Sequence, residues 1–356
     1  MRKRLTALLL IVSLLTSLLP ATVFAAEEGG TTVLIDDVPV VQENHAVQAM
    51  PKGVSYDEKT KTLTLNNASL GMMKIFRGSL TVVLQGDSTI HNDGQYLDLD
   101  GEPAPAFSTG EMAQNTSVTI TGPGSLTVDT SGSGARRTFV ADYTDLTITD
   151  DATVTVKSSD ASGGVMEIVA SRLVLDGRAS LTGKELFVSE YGSFLMDGGN
   201  LDMSGADFAL HLREGGQATI LDGTASLKGS EKTNVPVRCE TDGVLALLGG
   251  TVHLEQQNAN VLMTTDSQSS VVVGAGMSAV DNTTGAAIPI DEDFLRQIPG
   301  SSVTISGEGS LGKYDCQLSI PSGLVTQGAR FNVRAVVSLG TEEGTVSFPL
   351  PDGVSY

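Results

Sequence analysis

Along most of this chain apolar and polar residues alternate in short runs, and each run stops at a Gly, Asp or Asn before a second, shorter run begins. The pair "LVLDGRASL" (173–181) and "TILDGTASL" (219–227) shows the template: alternating apolar positions, an Asp-Gly step, then a further apolar residue. It returns in "LTLNNASL" (63–70), "VVLQGDSTI" (82–90), "VTITGPGSL" (118–126), "LTITDDATV" (146–154) and "FLMDGGNL" (194–201). It continues in "LALLGGTV" (245–252), "VVVGAGMSAV" (271–280) and "VTISGEGSL" (303–311). Alternation with a period of two predicts strands with one buried face, and the 3.6-residue period of a helix is missing. One helical turn is expected in "IDEDFLRQIPG" (290–300), ended by Pro299 as a local plug.

Taking Asn67, Gly86, Gly122, Asp150, Gly177, Gly198, Gly223, Gly249, Gly274 and Gly307 as turn markers gives a mean step of about 27 residues. A period of that size with strand-type alternation predicts a solenoid. The leucine-asparagine ladder of a leucine-rich repeat is missing, and a propeller blade needs roughly 40 residues or more. The expected fold is therefore all-β: a right-handed parallel β-helix of about ten coils, on the order of 45 Å long at the strand spacing. Leu173, Leu175 and Leu181 are expected to stack on Thr219, Leu221 and Leu227 two coils away. Asp176-Gly177 and Asp222-Gly223 supply corners, because Gly tolerates positive φ and Asp bonds the turning backbone. Open strand edges at both ends need caps. The alternating segment 31–49 fits the near one, within a cap assigned to 26–52. The helix is assigned to 53–312.

The first 25 residues stand apart from this pattern. Arg2, Lys3 and Arg4 precede an apolar run from Leu5 to Leu19, Pro20 ends it, and small residues lead to a cleavage position after Ala25. This is the layout of a secretory signal peptide, and the apolar run is short for a membrane span. Its loss takes the formal charge from −20 to about −23. So acidic a surface repels phosphate backbones and excludes nucleic acid as a partner. The same charge keeps a β-rich secreted chain soluble, and a monomer is expected. The two cysteines, Cys239 and Cys316, are too few for a disulfide scaffold. Cys239, in the strand-like "VPVRCET", reads as a small buried hydrophobe; a bridge to Cys316 is the alternative. Tryptophan is absent and Phe and Tyr are scarce, which disfavours a broad aromatic sugar groove without excluding a hydrogen-bonded one.

The opening "TTVLIDDVPVVQ" followed by "GVSYDEKTKTLTLNNASL" resembles the start of a class of secreted β-helix surface proteins of Gram-positive gut bacteria, often labelled carbohydrate-binding. Tyr56, Asp57, Thr60, Thr62, Leu63, Thr64, Leu65, Asn66, Asn67 and Ala68 carry the match. The resemblance spans 31–311 and implies a secreted or cell-wall-associated protein, with no catalytic residue to carry over. The tail "FNVRAVVSLGTEEGTVSFPLPDGVSY" resembles the start of an immunoglobulin-like repeat of bacterial surface proteins, through Leu350, Pro351, Asp352, Gly353, Val354 and Tyr356. Residues 313–356 fall well short of the roughly 100 a β-sandwich needs, so this domain is expected to be incomplete and the chain a piece of a longer surface protein.

On a solenoid, chemistry is expected in segments that interrupt the repeat. The longest, 91–117, carries Asp93, Asp98, Asp100, Glu102 and Glu111 with no Lys or Arg. Oxygen ligands at that density suit Ca²⁺. However, Tyr96 and Phe107 stand where the first and last acidic ligands of an EF-hand loop belong, and a solvated acidic loop is the plainer reading. The next segment, 129–145, holds Arg136 and Arg137, expected beside the acidic loop as neutralising charges. His45, His91, His211 and His253 have no metal-ligand spacing, and His211 and His253 read as surface residues of the rod. No catalytic residue, metal or cofactor is assigned. The expected function is non-enzymatic: a structural and adhesion module whose partners are glycans or host surface proteins. A glycan-binding module and a β-helical polysaccharide lyase or hydrolase are the alternatives.

Overall fold

The computed structural model describes residues 30–110, 116–159, 163–204, 208–229, 235–256, 261–291, 293–294 and 297–309. The signal segment, the 313–356 tail, Glu111 and Cys316 lie outside them. Every regular element among the described residues is a strand, arranged in one sheet of 12 and one of 18. No helix among them is long and apolar enough to cross a membrane.

The chain is a solenoid-like stack of parallel strands. Most passages lay one strand in the smaller sheet and, in the larger, either two strands on either side of the turn or, at Arg172–Gly183, Ser193–Ser204 and Gln217–Lys228, one long strand that runs through it. In the smaller sheet Met73, Phe107, Phe139, Met166, Leu186, Leu210, Val237 and Met263 lie in register one above another. In the larger sheet Leu63, Val82, Ile120, Ile148, Leu175, Met196, Ile220 and Leu247 form a second column. Leu126, Val154, Leu181, Leu201, Ala225 and Val252 form a third. Nearly all of these side chains are excluded from solvent in one continuous core. Burial of each large one stabilises the stack by about 1.5–3 kcal/mol.

The third wall of the stack is absent from the sequence expectation. Both segments read as interrupting loops contain core strands: Phe107–Thr109 within 91–117 and Arg137–Asp142 within 129–145. Phe107 and Phe139 are fully buried and stack with ring centroids 4.4 Å apart. Phe107–Thr109 is too short for an alternation to show, and Arg137–Asp142 buries four residues in a row rather than every second one.

The repeated Asp-Gly string, expected as a corner between strands, lies within the continuous strands Arg172–Gly183 and Gln217–Lys228, where Gly177 and Gly223 take φ of 65° and 90° and the register shifts. Asp176 Oδ1 accepts from Gly177 N at 2.6 Å, and Asp222 Oδ1 accepts from Gly223 N at 2.7 Å. A Cβ at Gly223 would come within 2.6 Å of the Gly199 carbonyl oxygen, so successive turns stack backbone on backbone. The expected side-chain partners are corrected by the register. Two passages on, Leu173, Leu175 and Leu181 meet Ala218, Ile220 and Ala225 rather than Thr219, Leu221 and Leu227. A β-bulge between Met196 and Asp197 makes Leu221 the extra residue and turns it outward, against Ala246, Leu248 and Val272.

Antiparallel strands close the stack. Thr32–Ile35 pairs with Met73–Phe76 and with Val38–Gln42, and Val54–Asp57 pairs with Thr62–Leu65. At the far end Ser302–Ser306 runs antiparallel between Thr251–Glu255 and Ser278–Asp281, so the last copy of the template does not add a parallel strand. The expected helical turn at 290–300 is also corrected. Gln297–Pro299 is a strand antiparallel to Val261–Thr265, and Asp291 Oδ1 accepts from the amides of Asp293 and Phe294 at 3.1 and 2.9 Å. Phe294 and Ile298 are buried against the end of the core.

Candidate functional site

The acidic segment is organised by its own backbone. Buried Asn92 donates to the carbonyls of Tyr96 and Ala104 at 3.0 and 2.8 Å, and its Oδ1 accepts from Gly94 and Tyr96. Asp98 Oδ1 accepts from the amides of Asp100 and Glu102 at 2.9 and 3.0 Å, so this carboxylate oxygen serves the turn. Among the described residues no three His, Cys, Asp or Glu side chains converge to hold a metal ion. Arg137, expected to neutralise this loop, pairs with a carboxylate elsewhere. Arg137 Nη1 lies 3.5 Å from Glu167 Oε2 on the next strand of the smaller sheet. Burial pushes the Glu167 carboxyl above its usual range, against the pull of Arg137 and Arg136.

Charged and aromatic side chains gather instead on strands 185–189, 210–212 and 237–239 of the smaller sheet and at the corners that follow them. His211, expected on the open surface, is only 12% exposed at its side chain. Its Nδ1 lies 3.5 Å from Glu185 Oε1 and its Nε2 3.0 Å from Glu240 Oε1. The rings of Phe187 and Phe208 flank the imidazole, each 4.8 Å away between centroids. Arg238 Nη2 pairs with Glu240 Oε2 at 2.6 Å and its guanidinium lies over Phe208. Burial alone would raise the Glu240 carboxyl, but the His211 hydrogen bond and the Arg238 charge outweigh it and hold it low.

Beside this cluster, the chain turns from the smaller sheet into the larger through left-handed residues stacked on one another. Tyr143, Ala170, Glu190, Tyr191, Glu214, Thr241 and Asp242 have φ between 46° and 64°. Backbone bonds tie corner to corner: Ala170 N donates to Ser189 O, Tyr191 N to Glu214 O, and Gly215 N to Thr241 O. Tyr, Ala, Glu and Thr are poor choices for this conformation, which costs of order 1–3 kcal/mol for a non-glycine residue. Their side chains line an open groove of about 640 Å³. Tyr191 is 84% exposed and Tyr143 42%. Arg213 joins groove and cluster, with Nη2 at 3.0 Å from Glu214 Oε1 and Nε at 4.0 Å from Glu240 Oε1. Below the groove, burial and then the Glu190 charge raise the Asp142 carboxyl.

Sequence reading missed this site because the left-handed positions are filled mostly by Tyr, Ala, Glu and Thr, and the glycines beside three of the corners, Gly192, Gly215 and Gly243, mark turns without showing that the turns stack. The available signal was the presence of two tyrosines, in a chain with six, just after apolar strand-like runs. Fold and groove define an all-β solenoid-like chain with an acidic, tyrosine-bearing corner on its outer surface. No family model matches the chain, and no curated protein or solved structure matches it.

Proposed function

We propose that this chain is a secreted or cell-surface structural and adhesion module, a right-handed parallel β-helix of about ten coils that holds its recognition residues on a rigid rod. The observation that carries this reading is the division of labour along the ladders. Inward positions of the parallel columns are apolar and buried, whereas the ionisable clusters and the exposed tyrosines lie on the outside. A surface protein of Gram-positive bacteria, as the opening phrase implies, has use for such a rod. The test is binding of the purified chain to glycan arrays and to host surface proteins, with reducing-end release from polysaccharides measured in parallel. Binding without release supports the reading; release of new reducing ends overturns it.

Glycan binding is the second reading, and the groove favours it. Tyr143 and Tyr191 offer exposed ring faces between carboxylates, the pairing of apolar face and hydrogen-bonding rim that a pyranose ring requires.

A further inference from the structure

Tyr143, Ala170 and Tyr191 occupy corners of successive passages of the chain, tied through the Tyr143 N to Val169 O and Ala170 N to Ser189 O bonds. Two strand spacings separate the tyrosine corners, about 10 Å along the stack. That is close to the length of two pyranose units joined end to end. Ala170, between them, keeps the floor of the groove low.

The Tyr191 ring is seated rather than dangling. A Cβ placed on Gly215 of the next corner would fall 2.5 Å from Tyr191 Cδ1 and 2.8 Å from Cε1, so the ring rests against the bare glycine Cα. Contact with a backbone surface restrains the ring before any ligand arrives and lowers the entropy lost on stacking. Glu190, Glu214 and Asp242 add carboxylates along the same line. The guanidinium of Arg213 at the edge is engaged by Glu214. The groove is thus net negative, with aromatic faces at intervals.

We propose that this groove binds a linear glycan bearing free amines, a hexosamine polymer, laid along the stack of corners. The proposal rests on the glycan-binding reading above. Sugar faces stack on Tyr143 and Tyr191, and protonated amines meet the carboxylates through charge-assisted hydrogen bonds and the tyrosine rings through cation–π contact. Uronate or sulfated glycans are repelled by the same charges. A lysine-rich peptide shares the charge but has no flat unit to lie on both ring faces at their spacing.

The test is calorimetric titration of the whole chain with a glucosamine oligosaccharide, its N-acetylated form, a glucose oligosaccharide, a galacturonate oligosaccharide and an oligolysine peptide, below the pKa of the sugar amine. The glucosamine oligomer is expected to bind at least about tenfold more tightly than the acetylated and glucose oligomers, with no binding of the galacturonate. Tyr191→Ala is expected to weaken it about tenfold or more and Tyr191→Phe to retain it, since the ring face and not the hydroxyl is used. Glu214→Gln with Asp242→Asn should weaken the glucosamine oligomer and leave the acetylated one unchanged. Circular dichroism verifies that each variant keeps its β structure. Equal, Tyr191-dependent binding of the glucosamine, acetylated and glucose oligomers overturns the amine assignment while glycan binding stands. No binding of any saccharide by the folded chain overturns both. Preference for the peptide or the galacturonate overturns the proposal.

Discussion

His211 Nε2 stands 3.0 Å from Glu240 Oε1, across two neighbouring strands of the smaller sheet and 29 positions apart in the chain. With Glu185 on the other ring nitrogen and two phenylalanines against the imidazole faces, His211 separates two mostly buried carboxylates. His211→Ala leaves those carboxylates facing a void. The expected loss is about 2–3 kcal/mol in urea unfolding, and an unchanged midpoint would show the cluster to be ornamental.

Glu167 gives the opposite sign. Its carboxyl is raised above the ordinary 4.5, by burial first, with Arg137 only partly opposing. A raised carboxyl contributes stability that is complete below the unfolded value and lost as the pH climbs through the folded one. Above that window the buried charge is a burden. Glu167→Gln is therefore expected to be more stable than the parent by up to about 1 kcal/mol at pH 7 and to lose that advantage at pH 4. Melting temperatures at the two pH values decide it.

Phe139 stacks on Phe107 inside the column that begins at Met73 and takes no part in the surface chemistry. Phe139→Ala opens a cavity in a wall where neighbours are fixed in register from both sides. A cost of about 3–5 kcal/mol in urea unfolding is expected, with the groove ligand, where one binds, still bound by the fraction that remains folded.

Cys239 lies 1% exposed between Leu212 and Thr265 of the adjoining strands, and burial pushes its thiol up to about 12. In the native chain it should resist alkylation by iodoacetamide and react at once in denaturant, as mapped by peptide mass spectrometry. Fast native labelling at Cys239 would mean that this part of the stack opens readily.

The sequence announced the larger sheet and showed only parts of the smaller one, the alternating segment 31–49 and the strand-like run that holds Cys239. "LVLDGRASL" carries enough alternation and a strong turn signal, so the Asp176-Gly177 turn and the buried Leu173, Leu175 and Leu181 were legible. Phe107–Thr109 and Leu210–Leu212 are three residues each, too short for a period to emerge; the first fell in a segment read as a loop, and the second showed only as apolar neighbours of a surface His211. The groove was hidden for a related reason. Tyr143, Ala170 and Thr241 are held left-handed by the corners stacked above and below them, not by their own preference.

The two closest copies of the template make the same division. "VTITGPGSL" and "VTISGEGSL" both bury their Val and Ile on one face, Val118 with Ile120 and Val303 with Ile305. That much is local, since alternation alone turns those side chains inward. Yet Thr116–Thr121 lies parallel between its neighbours and Ser302–Ser306 lies antiparallel, pairing Val252 with Ile305 and Leu254 with Val303. An alternating strand buries the same face in either direction. The sequence therefore determined which side chains face the core and where the Asp-Gly turns fall. Direction, register and the joining of distant tyrosines into one groove were decided by the connections and by the stack, whose edges accept whichever strand reaches them in phase.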